Sequence, residues 1–141
     1  MSVKEAIMKN LEKGDSLEKT FAAVYRVQDG SNGIAIIWRS VNGYLAFSKM
    51  KVLFIREKGL FKKTFKVVFE LSYANIDLAR ASVFGDYDFD ISGKGGAYYN
   101  FVLSDVPAKA VEEQVKTYID MYISKYKKWR ARNKVPRGYY E

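Results

Sequence analysis

The chain of 141 residues has no cysteine and no histidine, and only two of its residues are proline. Without cysteine there is no disulfide framework and no thiolate nucleophile. Without histidine there is no imidazole general base and no Ser-His or Cys-His pair. The two absences together remove zinc sites of the ordinary Cys/His kind. No metal, no cofactor and no enzymatic activity are expected. Long hydrophobic runs are missing too, since none approaches the roughly 20 residues that cross a bilayer. Residues 1–13 mix charged and apolar side chains, so no secretory signal is expected there. The expected setting is cytoplasmic, with peripheral membrane attachment as its second form.

What the chain does have is a hydrophobic content of 48% and an aromatic content of 16%, enough for one domain with a real core. The net charge is +8, unevenly placed. Residues 49–66 hold seven basic residues against the single acid Glu57, a net +6, and residues 125–137 hold seven with no acid, a net +7. The remaining 10 basic and 15 acidic residues leave a body of −5. A slightly acidic body with two basic segments points to an anionic partner.

Ser2 and Glu5 have the spacing of a capping box, and Val3, Ile7 and Leu11 line one helical face, with Gly14 placed to end the helix. A short amphipathic helix is expected over 3–13, giving an N-terminal unit of 1–14. The middle is strand-rich. Strands are expected near 21–27, 34–39, 44–48, 50–56, 64–71, 76–83, 86–92 and 97–103. Turns are expected at Asp29-Gly30, Asn32-Gly33 and Asn42-Gly43. In the run from Thr64 to Leu71, alternation predicts that Phe65, Val67, Phe69 and Leu71 face one way. Asp105 is a candidate cap for a C-terminal helix from 107 to about 130, with Pro107 in its first turn. Its stripe runs through Val111, Val115, Tyr118, Ile119 and Tyr122.

The stretch Gly43-x-Leu45-x-Phe47-Ser48-x-x-Lys51-Val52-x-Phe54 resembles the G-x-L-x-L-T-x-x-R-L-x-F pattern of the GRAM and bacterial PH-like families. Ser48 replaces the usual Thr and Lys51 the usual Arg. Gly59-Leu60-Phe61-Lys62-Lys63 is similar to the turn that follows it there, and Phe69-Glu70-Leu71 with Ile76 to the later segment. The resemblance implies a mainly β fold with α: a PH-like, partly open barrel of about seven antiparallel strands in two near-orthogonal sheets. A long C-terminal helix would cap it over 15–132, leaving a basic flexible tail at 133–141. It also implies a binding role without catalysis, on anionic lipid headgroups, an acidic protein, a partner domain or a second copy in a homo-oligomer.

Two candidate sites follow from the basic segments. In the first, Lys58, Lys62 and Lys63 flank Leu60 and Phe61, a combination suited to an acidic protein groove or a membrane interface. The alternative is a solvated hairpin whose lysines discourage edge pairing. In the second, Lys125, Lys127, Lys128, Arg130 and Arg132 interleave with Trp129. Such a run can hold phosphates and stack on bases, which makes nucleic acid the second partner class. Compensation of a helix C-terminus is its plainer explanation. Asp86, Asp88 and Asp90 alternate as on a solvent-facing strand with Tyr87, Phe89 and Ile91 inward, and lack the Gly and Glu of a calcium loop. Gly93-Lys94-Gly95-Gly96 lacks the spacing of a phosphate-binding loop and reads as a turn.

Overall fold

The computed structural model describes residues 2–31 and 36–127. Asn32-Gly33, Lys128, Trp129, Arg130, Arg132 and the tail 133–141 therefore lie outside the described residues. Chain order is α1 (Val3–Met8), β1 (Leu17–Ser31), β2 (Ile36–Ser48), β3 (Lys51–Lys58) and β4 (Thr64–Ser72). A 3-10 turn at Tyr73–Asn75 leads to β5 (Ile76–Ala81), β6 (Asp88–Gly93), β7 (Tyr98–Leu103) and α2 (Ala108–Tyr122), then a π-type turn over Ile123–Lys127.

The seven strands form one antiparallel sheet in the order β4-β3-β2-β1-β7-β6-β5. The expected pair of sheets is joined, because residues 23–26 of β1 pair with β2 on one side and with β7 on the other. The sheet curls far enough that Phe69 of β4 meets Tyr99 and Phe101 of β7, with ring centroids 4.5 and 5.4 Å apart. Helix α2 packs its stripe of Val111, Val115 and Tyr122 into the same core.

Strand β3 is buried on both faces. Val52 and Phe54 point into the barrel with Phe47, Phe69 and Phe101. Leu53 and Ile55 point outward, where Ala6 and Ile7 of α1 cover them. A six-residue helix is too short to persist alone, so α1 is held by this apolar face. Its return to the sheet is pinned by polar contacts. The Ser48 hydroxyl donates to Asp15 Oδ2 at 2.7 Å and accepts the N–H groups of Lys51 and Met50 at 3.0 and 3.2 Å. The Lys51 ammonium donates to the Asn10 carbonyl and to Glu70. Buried Tyr73 donates to the Ser48 carbonyl at 2.5 Å, and burial pushes its phenol well above the ordinary range, so it remains a donor.

Several local expectations are corrected. The first helix stops at Met8, not 13, because the Asn10 side chain takes the Ala6 carbonyl at 2.8 Å and competes with the backbone ladder. Gly14 lies beyond it with φ 91°. Asn42-Gly43 is no turn but the interior of β2, which runs unbroken from Ile36 to Ser48. Gly43 is required there by close approach: a Cβ would sit 2.0 Å from the Ile55 carbonyl oxygen of β3. The alternating run of β4 serves two clusters. Phe54 pairs with Phe69 but Ile55 with Val67, so Val68 is an extra, bulged residue. Phe65 and Val67 therefore join the α1 side, and Phe69 and Leu71 the barrel interior. Asp105 does not cap α2. Pro107 holds the cap position, and the Ala108 N–H donates to the Asp86 carbonyl at 2.8 Å, from a different loop.

Replacing Ser48 by Ala strips the buried Lys51 N–H and the part-buried Met50 N–H and Asp15 carboxylate of a partner and is expected to cost about 1–3 kcal/mol. A urea titration should show a lower midpoint with an unchanged slope.

Candidate functional site

The register of β3 and β4 ends at the pair Lys58 and Thr64, and residues 59–63 form the turn between them. Gly59 has φ 114°, and a Cβ there would lie 2.1 Å from the Lys62 carbonyl oxygen, so the turn needs glycine. The peptide path leaves Leu60 and Phe61 92% and 102% exposed at the tip. Lys58 and Lys62 are exposed beside them.

Lys63 is different, because its ammonium lies 2.6 Å from Glu57 Oε1. The Tyr44 hydroxyl also donates to Glu57. The hydrogen bond from Lys63, and then that from Tyr44, pulls the Glu57 carboxyl below its ordinary 4.5. The same bond raises Lys63 above 10.5, and Glu57 raises Tyr44 above 10.0. One of the three lysines expected to act together is thus neutralised locally and serves to brace the turn. Tyr44 and Glu57 escaped the sequence reading because their meeting depends on the pairing of β2 with β3. A lone acid inside a basic run was the available signal.

The turn borders an open groove of about 310 Å³ lined by Ala22, Ala23 and Val24 of β1 and by Asn42, Gly43 and Tyr44 of β2. Gly59 and Lys63 stand at one side of it and Ser104 at the other. Ser104 follows Leu103, whose N–H donates to the Tyr87 carbonyl at 2.9 Å in the turn between β5 and β6. That turn carries a second apolar pair, Val83 and Phe84, each 91% exposed. An apolar pair directly before Gly85-Asp86 was the sequence signal for it.

The second basic segment lies elsewhere. Lys125 lines a small cavity with Glu18, Lys49, Tyr118 and Met121, at the β2–β3 turn. Strand β3 separates that turn from the 59–63 turn, a span of about 23 Å at 3.3 Å per residue. The side chain of Lys127 and all of Lys128, Trp129, Arg130 and Arg132 are outside the described side chains.

The aspartates are used separately. Asp86 sits in a turn, Asp88 accepts from Arg26 at 3.2 Å, and Asp90 accepts from Tyr98 and Asn100 at 2.8 and 2.6 Å. Phe89 and Ile91 face the core as expected, but Tyr87 is exposed because the strand begins only at Asp88. Among the described residues no group of three or more His, Cys, Asp or Glu side chains could hold a metal ion. No helix among them is long and apolar enough to cross a membrane.

No family model matches the sequence, and no curated protein matches it. Solved structures do. The DH/PH domains of PDZ-RhoGEF, solved in complex with GTPγS-activated RhoA, superpose with a TM-score of 0.57 at 14% identity. That match covers 82% of this chain and 32% of the other. The DH/PH domains of p115-RhoGEF match with a TM-score of 0.54 at 12% identity, over 93% of this chain and 35% of theirs. The C-terminal domain of an unknown protein from Leishmania infantum matches with a TM-score of 0.51 at 12% identity, over 86% and 99%. The chain spans about a third of the length of the RhoGEF chains. At these identities the likeness is one of fold, and the fold is PH-like.

The carboxylate of Glu57 contributes to the order of the turn above pH 4.5, a contribution that fades as pH falls through its depressed value. Lys63 contributes below pH 10.5, fading as pH climbs through its raised value. Glu57→Gln should return Lys63 toward 10.5 and Tyr44 toward 10.0, read by NMR titration of the Lys63 and Tyr44 side chains.

Proposed function

We propose that this chain is a non-enzymatic binding module of PH-like fold that docks through its β3–β4 turn on an acidic surface. The observation that carries the reading is the pairing of complete exposure with a rigid base. Leu60 and Phe61 stand fully in solvent on a turn braced by Gly59 and by the Lys63–Glu57 pair. Lys58 and Lys62, which make no ion pair among the described residues, supply the attraction, and the two apolar side chains supply area to bury.

Of the two acidic surfaces, a protein face is favoured over an anionic bilayer. Lys58 and Lys62 together contribute about 2 kcal/mol at an anionic leaflet. That is too little for stable attachment without a second anchor. An acidic protein face with an apolar recess adds shape complementarity to the same charge attraction. The GRAM-like signature contributes to this function by holding the frame, with Ser48 and Lys51 tying the N-terminal segment to the sheet. The nucleic-acid reading rests on residues 125–137, of which only Lys125 has a described side chain, and no observation favours it.

The test uses a fluorescent peptide of alternating Glu and Leu as an acidic, apolar probe, titrated by anisotropy at low and high salt. Binding should weaken as salt rises. Lys58→Glu with Lys62→Glu, and separately Leu60→Ser with Phe61→Ser, should each weaken it about tenfold or more. Equal affinity in both variants would remove the turn as the docking site. Sedimentation with phosphatidylserine vesicles beside phosphatidylcholine vesicles tests the membrane arm.

A further inference from the structure

Strands β1 and β2 outrun their other neighbours. The pairing of β1 with β7 ends at Arg26 and Asn100, and β1 continues to Ser31 paired with β2 alone. Strand β3 leaves β2 at the Gly43–Arg56 pair, so residues 36–42 of β2 have a strand on one side only among the described residues. That overhang is about 23 Å long at 3.3 Å per residue. The two edges of the ribbon are built differently. The β1 edge carries Asp29-Gly30 and a register shift between Gln28 and Gly30, features that discourage further pairing. The β2 edge runs Ile36-Ile37-Trp38-Arg39-Ser40-Val41-Asn42, with no register break of its own, no proline, no glycine and one charge. Its near end opens into the groove beside the β3–β4 turn. Asn42 and Glu57 would be the next pair of the β2–β3 ladder, and instead they line that groove together with Gly59 and Lys63.

We propose that residues 36–42 of β2 accept an extended acidic segment of a partner protein as an added strand, in the cleft that β3 vacates. The inference rests on the docking role of the β3–β4 turn and gives the conformation of what docks there. Main-chain hydrogen bonds hold such a strand, and its side chains fall alternately to opposite faces. Acidic residues at every second position therefore share one face, and apolar residues between them share the other. Charge chooses the occupant. The single charge on the β2 stretch, at Arg39, is basic, and exposed Lys58 and Lys62 flank Gly59 and Lys63 of the far bank. The one carboxylate lining the cleft, Glu57, is already held by Lys63 and Tyr44. A second copy paired on this edge brings Arg39, Lys58 and Lys62 again, and like charges across paired strands repel. An anionic bilayer has no main chain to pair with the edge.

The test gives the full chain the alternating Glu and Leu peptide in two N-methylated forms, one methylated at every Leu nitrogen and one at every Glu nitrogen. The two forms carry the same side chains and charge, and the protein is unaltered. A strand laid on β2 turns one set of its N–H groups to the protein and the other set to solvent. One form should therefore bind about tenfold or more weaker than the unmethylated peptide, and the other should match it. Amide hydrogen exchange within residues 36–42 should slow about tenfold or more with the unmethylated peptide bound. Equal affinity of the two methylated forms, whether both keep binding or both lose it, overturns the added strand, as does unchanged exchange in 36–42. If Lys58→Glu with Lys62→Glu then still weakens the unmethylated peptide, docking at the turn stands and only the strand is excluded. If instead the methylated forms differ while the turn variants bind as the wild type does, the strand stands and the turn is excluded. A chain that sediments as a dimer without peptide, with 36–42 already protected, assigns the edge to a second copy and overturns the proposal.

Discussion

Strand β3 has no solvent face along its first five residues, and the rest of the domain is arranged to make that possible. A strand on a curled sheet ordinarily packs inward and leaves its outer side chains to water. Here Leu53 and Ile55 are as buried as Val52 and Phe54. Something must cover the outside, and α1 does so with Ala6 and Ile7. That demand sets the path of the N-terminal segment, which must return from α1 to β1 across the β2–β3 turn. It also explains why a polar knot forms at that point around buried Ser48 and Lys51. Ser48, Asp15, Lys51 and Asn10 satisfy one another where the returning chain crosses the sheet.

The β3–β4 turn lies at the far end of the same strand. Its geometry descends from the β3–β4 register through Lys58 and Thr64, from Gly59, and from the Glu57 carboxylate held between Lys63 and Tyr44. Rigid support and an exposed apolar tip belong together in a binding element, because a preformed tip loses less conformational entropy on docking. The opposite end of the strand, near Lys49 and Lys125, is a separate basic region beside Glu18. The two basic runs that look alike in sequence thus occupy different places in the fold.

Much of the fold is legible in the residues. Turn glycines with positive φ at 59, 95 and 96, the alternation of Phe89 with Ile91, and the stripe of Val111, Val115 and Tyr122 each follow from local physics. The misreadings share a cause. Asn42-Gly43 has the composition of a turn, but its glycine serves the approach of Ile55 from a neighbouring strand. The Thr64–Leu71 alternation is unbroken in sequence, yet a bulge at Val68 divides it between two cores. Asp105 has the chemistry of a helix cap, yet the helix takes its partner from Asp86 in another loop. Each depends on a residue remote in the chain, and local pattern holds no record of it.

Local pattern alone reads out a PH-like β fold with flanking helices, the absence of cysteine and histidine chemistry, and a Lys-rich turn that presents Leu60 and Phe61. Periodicity, turn chemistry and composition act over a few residues, so a linear reading captures them. The fold pairs Lys63 with Glu57 and leaves Lys58 and Lys62 without an ion pair among the described residues. Only it left Val83 and Phe84 standing in solvent beside exposed Asp86, in the turn between β5 and β6. Charge balance and exposure are properties of a surface, and a surface exists only once distant strands have been brought together.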